Sequence, residues 1–236
     1  MEDTKILEKL NEISAALRFQ IGTRGVKWLE DVPLKAENFA VSYDYMYVMV
    51  QVLKHMGPRS MIEFGLGESS KILISYANSS YRPGGKCVIV EHNSEWIRFF
   101  KRAFDCKEEL GRVNFYRIPM YTNVDEEFGT PLNYYENIEP VVRGEKYDFI
   151  SIDGPFGSPR NSRMDLLPYI PECLAPSWCI MLDDYGRQGE HDMIETLKKI
   201  LESCGIKYRG REYGEGSEKQ FYLLTSEENR FLTTLL

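Results

Sequence analysis

SMIEFGLGESS, residues 60 to 70, places an acid two positions ahead of a glycine pair at the end of an apolar run. Met61, Ile62 and Phe64 read as a buried strand. Gly65 and Gly67 let the backbone turn tightly and come close to a ligand, and Glu68 to Ala77 reads as the helix that follows. A turn at Pro83, Gly84 and Gly85 leads to a second apolar run, Lys86 to Glu91, which ends in an acid about two dozen residues beyond the glycines. An acid there can accept from both hydroxyls of a ribose. The alternatives are a glycine turn with no ligand and a solvated strand end.

A dinucleotide fold would want a third glycine where Ser70 stands, and Glu68 would oppose a pyrophosphate on the helix N-terminus. S-adenosylmethionine (SAM) has no phosphate and brings a cationic sulfonium and an ammonium group, which suit an acid such as Glu63. On Glu63, Gly65 and Gly67 the chain resembles the class I, Rossmann-like methyltransferases, whose first motif is acid, any residue, Gly, any residue, Gly. The resemblance spans roughly residues 40 to 226. It implies a single α/β domain with a mostly parallel seven-stranded sheet and an antiparallel last strand, and SAM as cofactor. Glu63, Gly65, Gly67 and Ser69 would hold the methionine part, Glu91 the ribose, His92 would lie beside the adenine, and Asp153 near the methyl.

The chain has 236 residues and a net charge of -7. That length suits one well-buried domain, and the charge disfavours nucleic acid or an anionic membrane as partner. Five cysteines, 87, 106, 173, 179 and 204, lack metal-finger or redox spacing and read as core residues in a reducing compartment. No apolar run approaches membrane-spanning length, and MEDTKILEKL has acids where a signal peptide would be basic, then apolar. The expectation is a cytoplasmic protein.

Residues 1–38 divide from the main domain, 39–236, as an N-terminal helix and a connecting segment. The helix, about residues 3 to 20, puts Ile6, Leu10, Ile13 and Leu17 on one stripe. It could pack on its own domain, cover the cofactor or pair two subunits as a homodimer. Ile21 to Asn38 reads as loop, and Val41 to Met56 as a helix ended by Gly57 and Pro58. Beyond the second strand the pattern predicts a helix over Glu95 to Glu109 and a strand over Val113 to Ile118. Tyr147 to Asp153 and Cys179 to Asp183 follow as strands, with a helix near Met164 to Cys173 between them. A helix over Gly189 to Ser203 and a late strand pair, Tyr208 to Tyr213 and Gln220 to Thr225, joined by a Gly/Ser/Glu turn, complete the chain. Tyr121 to Glu145 reads as a long connection, either a wall for a substrate or a solvated loop.

Asp153, Asp183 and Asp184 end neighbouring strands and should converge at the crevice. Three carboxylates so close repel unless a cation sits between them, and an oxygen-only site suits Mg²⁺ or another hard divalent cation. The alternative is that Asp183 or Asp184 caps a helix or turn. The arrangement is similar to the divalent-metal O-methyltransferases of the catechol and macrolide-sugar types, and in wording to the glucuronoxylan O-methyltransferases. That wording is Asp153-Gly154-Pro155, Arg163-Met164 and Asp183-Asp184-Tyr185-Gly186-Arg187. The macrolide-sugar enzymes carry a second acid where this chain has Pro155, so the base is left among Asp153, Asp184 and His191. Arg160, Arg163 and Arg187 bring positive charge to the same rim, either to grip an acidic acceptor or to bridge local acids such as Asp165 and Glu190. The expected activity is SAM-dependent O-methylation of a sugar-like or other small polar acceptor, with metal assistance. The rivals are a non-catalytic scaffold of the same fold and a nicotinamide-dependent oxidoreductase.

Overall fold

The computed structural model describes residues 2–36, 40–81, 85–106, 111–214 and 219–236. Asn38, Pro83, Gly84, Glu109 and most of the predicted Gly/Ser/Glu turn fall outside these. Nine strands lie among the described residues: β1 (Ser60–Phe64), β2 (Lys86–Glu91), β3 (Val113–Arg117), β4 (Met120–Val124), β5 (Pro131–Tyr135), β6 (Tyr147–Ile152), β7 (Leu174–Leu182), β8 (Tyr208–Tyr213) and β9 (Phe221–Ser226). Seven form one sheet in the order β3-β2-β1-β6-β7-β9-β8. Neighbours from β3 to β7 are parallel, while β9 runs against both β7 and β8. The chain winds outward from β1 to β3 and returns to β6 on the other side of β1. That reversal opens a crevice at the carboxyl ends of β1 and β6, where ligands of open α/β sheets bind.

The strands are buried on both faces, as parallel strands between helical layers are. Met61, Ile89, Phe149, Met181 and Leu223 pack on one side with α2 (Tyr43–Met56) and α3 (Glu68–Asn78). Ile62, Val90, Ile150, Ile180 and Leu224 pack on the other with α5 (Glu139–Val142) and α6 (Gln188–Ser203). The Ser42 hydroxyl caps α2 by accepting from the Tyr45 N–H, and Gly57, at φ 64°, closes it. Val26 and Leu29 join the first of these clusters, so the segment after α1 (Glu2–Gly22) packs on the same core. Among the described residues no helix is long and apolar enough to cross a membrane. Four of the five cysteines are buried, and Cys204 is exposed.

Several expectations give way. The connection Tyr121 to Glu145 contains the β4–β5 hairpin and α5 rather than continuous loop. The segment near Met164 to Cys173 forms 3-10 turns over Met164–Tyr169, because Pro168 inside it cannot donate the bond an α-helix needs. β7 begins at Leu174, five residues before the predicted start, and its register against β6 shifts between Tyr147 and Phe149, which the two-residue alternation of a regular strand does not reveal. The helix after β2, α4 (Ser94–Ala103), ends before the predicted Glu109. The stripe on α1 does not pack on the domain: Ile6, Leu10, Ile13 and Leu17 are all more than half exposed.

Candidate active site

The turn after β1 uses its two glycines differently. Gly65 has φ +97°, and a Cβ there would lie 2.9 Å from the backbone carbon and oxygen of Asp153. It is glycine because β1 and β6 close tightly at the crevice. A Cβ on Gly67 would meet nothing within 4 Å, so that side of the turn is open. Glu91, at the end of β2, faces the same turn. Its Oε2 accepts from the Leu66 N–H at 3.1 Å and its Oε1 from the Asn93 N–H at 2.7 Å, with His92 Nδ1 2.9 Å from Oε1. The His92 ring meets the exposed Phe156 edge to face, and the Trp96 indole N–H donates to the Leu66 carbonyl at 2.6 Å.

Beneath the turn lies a hydrogen-bond network that sequence reasoning missed. Glu63 is fully buried; it accepts from the Ser70 hydroxyl on Oε2 and from the Ser151 hydroxyl, 3.1 Å away, on Oε1. Ser70 accepts from the Gly67 N–H at 2.9 Å, and Ser151 lies 2.9 Å from the Tyr45 hydroxyl. The residue standing where a dinucleotide fold wants glycine thus ties the turn to the acid below it. Burial pushes the Glu63 pKa up to about 7, against the lowering effect of the hydroxyls of Ser70, Ser69 and Ser151. Ser69 is itself buried at the start of α3.

At the ends of β6 and β7 one carboxylate oxygen each from Asp153, Asp183 and Asp184 come within 4.8 Å of one another. The predicted convergence is real, and so is the cation it needs: the buried guanidinium of Arg163. Its Nη2 donates to Asp184 at 2.9 Å and to Asp153 at 3.4 Å, its Nη1 to the Asp183 carbonyl at 3.1 Å, and its Nε to the Pro155 carbonyl at 3.2 Å. Glu190, fully buried on α6, stands 3.7 Å from Nε. Burial alone would lower the Arg163 pKa, but Asp153, Glu190, Asp184 and Asp183 more than reverse it and keep the group charged. Burial and then Asp183 raise the Asp153 pKa well above the usual carboxylate range, while burial and then Asp184 push Asp183 up to about 6. Both Arg163, at φ 56°, and Asp184, at φ 60°, are left-handed, a conformation that non-glycine residues hold where surrounding structure demands it.

No family model and no curated protein matches the sequence. Solved structures match in shape. An O-methyltransferase from Bacillus cereus in complex with SAH, the demethylated product of SAM, is 15% identical over 91% of this chain and 91% of its own, with a TM-score of 0.50. The SAH-bound methyltransferase PaMTH1 of Podospora anserina is 14% identical over 92% and 97%, with a TM-score of 0.52. The N-terminal domain of human METTL16, in complex with SAH, is 15% identical over 84% and 77%, with a TM-score of 0.51. This chain has the class I methyltransferase fold. Identities this low carry the fold and not the chemistry.

Within that methyltransferase fold, the remaining predicted site residues separate. Arg160 is committed to Asp192 through Nε at 2.6 Å and Nη2 at 3.1 Å, and its guanidinium lies 3.5 Å from the centre of the Phe128 ring. Arg163 is interior rather than at the rim, which removes it from an acceptor-gripping role. Arg187 bonds Asp184 at 2.8 Å but keeps 56% of its side chain exposed. His191 stacks on Tyr185, ring centres 4.0 Å apart. The β4–β5 hairpin is stapled to the loop after β6: the Asn133 N–H donates to Ser158 at 2.8 Å, the Tyr135 N–H to Asp165 at 2.8 Å, and Asn161 to Asp125 at 2.7 Å.

The three aspartates have the donor chemistry of a hard-cation site. A metal does not fit them as they stand, because Arg163 already holds Asp153 and Asp184, and Oδ2 of Asp184 carries a second arginine. The glycine turn does fit SAM: Gly67 leaves room, and Oε2 of Glu91, which accepts from one N–H, retains a free lone pair.

Proposed function

We propose that this chain is a SAM-dependent methyltransferase acting on a hydroxyl of a small polar, sugar-like acceptor. The observation that carries the reading is the open face of Gly67, set between the carboxylate of Glu91 and the aspartates ending β6 and β7, on a class I sheet. Bound there, SAM supplies a methyl group activated by a positively charged sulfur. Glu91, its plane fixed by two peptide N–H groups, accepts from the ribose diol, and the His92 and Phe156 rings flank the adenine. Glu63 acts from below by holding Ser70 and hence the Gly67 peptide.

Among the three candidate bases, Asp153 is favoured. Asp184 is paired through Oδ2 with both Arg163 and Arg187, and His191 is turned to Tyr185. A carboxylate with a raised pKa is the better proton acceptor near neutrality. The acceptor oxygen bonds to the methyl carbon as the carbon–sulfur bond breaks, and the hydroxyl proton passes to Asp153. Positioning supplies most of the acceleration. No metal is required, since Arg163 supplies the positive charge. The part-exposed Arg187 and the Tyr121 face of the β4–β5 hairpin offer an acidic sugar a cation and an aromatic wall.

Thermal unfolding with SAM, SAH and NAD tests the cofactor. SAM and SAH should each raise the midpoint, and stabilisation by NAD alone would reverse the assignment to an oxidoreductase. With a sugar-acid panel, Asp153→Asn should lose about 100-fold or more in transfer while still binding SAH. Transfer undiminished in that variant moves the base elsewhere. A parent that binds SAM and methylates no acceptor supports the scaffold reading.

A further inference from the structure

Helix α1 has two faces with opposite fates. Ala15 and Phe19 are buried, Arg18 pairs with Asp44, and a Cβ on Gly22 would collide with Tyr47, so this face is fastened to α2. At about 100° per residue, Ile6, Leu10, Ile13 and Leu17 lie half a turn away. With Leu7 and Ile21 they are 51% to 60% exposed. Six such side chains form an apolar patch on the order of several hundred Å², the scale that marks an interaction surface.

We propose that a second copy of this chain covers the stripe, giving a two-fold dimer built on α1. The 4-3-4 spacing of residues 6, 10, 13 and 17 is that of a helix-pairing seam. Seams that choose a foreign partner carry complementary charges on their flanks; here Leu7, Ser14, Ala16 and Ile21 are uncharged and the one charged flank, Lys9, faces Ser14 of an identical parallel helix, so two copies meet without repulsion. Beside the ridge lies a hollow of about 650 Å³, lined by Ile13 and Leu17 on one side and by Leu29, Val32 and Leu34 on the other. Ridge and hollow on one face are what a self-complementary two-fold contact requires.

Other occupants fit less well. The internal segments outside the described residues are three or four residues long, too short to cover the stripe. The fastened face keeps α1 from folding over the crevice. A net charge of -7 opposes an anionic lipid surface.

The test is the mass of the full chain in solution at tens of micromolar, by light scattering. The parent should have twice the 27.5 kDa chain mass, with an unfolding midpoint that rises with concentration. Leu10→Glu with Ile13→Glu should halve that mass and abolish the concentration dependence. Both positions are solvent-exposed in the single chain, so far-UV circular dichroism should stay unchanged. A parent that stays monomeric, or a dimer that survives both glutamates, overturns the proposal; a monomer whose α1 becomes protected from hydrogen exchange on adding SAM would identify the helix as a lid.

Discussion

On the β2 side of the crevice a single carboxylate, Glu91, is held by two backbone N–H groups. On the β6–β7 side four carboxylates, Asp153, Asp183, Asp184 and Glu190, gather around one buried guanidinium, Arg163. The first arrangement rests on backbone: the donors belong to Leu66 in the glycine turn and to Asn93, two residues beyond Glu91. The second draws on three separate elements, and each acid there depends on a side chain ten or more residues away. A site held by backbone keeps its charge by geometry, whereas one held by opposing side chains is balanced, and removing one partner unbalances the rest.

The largest expected effect comes from breaking that balance. Arg163→Leu should cost about 3–5 kcal/mol in urea unfolding, because it leaves buried carboxylates without a counter-charge. Mg²⁺ or Mn²⁺ should restore part of the loss in the variant and do nothing for the parent. A variant as stable as the parent would show that the guanidinium is not the counter-ion.

The glycine turn permits a sharper contrast. Gly65→Ala adds a Cβ against the Asp153 backbone at a positive φ and should cost roughly 3 kcal/mol. Gly67→Ala, two residues away, should change stability by less than about 0.5 kcal/mol, yet weaken SAM binding about tenfold by calorimetry. Equal stability losses in the two variants would contradict the assignment of Gly67 to the ligand side.

Glu63, between the two halves, gives a pH signature of comparable size. Its pKa is raised by burial from 4.5 to about 7, so the unfolded chain ionises first as pH rises. Stability should therefore be fully present below about pH 4.5 and fall by about 3 kcal/mol through pH 7, followed by chemical unfolding in a pH series. Asp183 and Asp165, each pushed up to about 6 chiefly by burial, act in the same direction. Glu63→Gln should flatten the segment between pH 6 and 7; an unchanged slope there would place the titration elsewhere.

The smallest change tests the backbone-held half. Glu91→Gln keeps an oxygen for one of the two N–H groups and sets an amide NH2 against the other, so it should cost about 1–2 kcal/mol in unfolding, with SAM affinity down about tenfold. An unaltered affinity would detach Glu91 from the ribose.

The amino-acid sequence alone determined the parts governed by short-range rules. The apolar run of Met61, Ile62 and Phe64, the glycines at 65 and 67 and the acid closing Lys86 to Glu91 specify strand, turn and strand, because backbone sterics and local hydrophobicity act over a few residues. The family resemblance they carry implied the seven-stranded sheet, and three aspartates at the ends of neighbouring strands implied the convergence of Asp153, Asp183 and Asp184. Only the tertiary structure decided what stands between those aspartates. Arg163 stands in the Arg163-Met164 wording but carries no periodic signal for turning inward; it does so because four acids favour a guanidinium there against the cost of burial, on a left-handed backbone. The same holds for the Glu63, Ser70 and Ser151 network, for the β4–β5 hairpin stapled to the loop after β6, and for the outward face of α1. In each, at least one partner of a side chain lies 21 or more residues away, and chain contacts of that range are set by how the elements pack, not by how they are ordered.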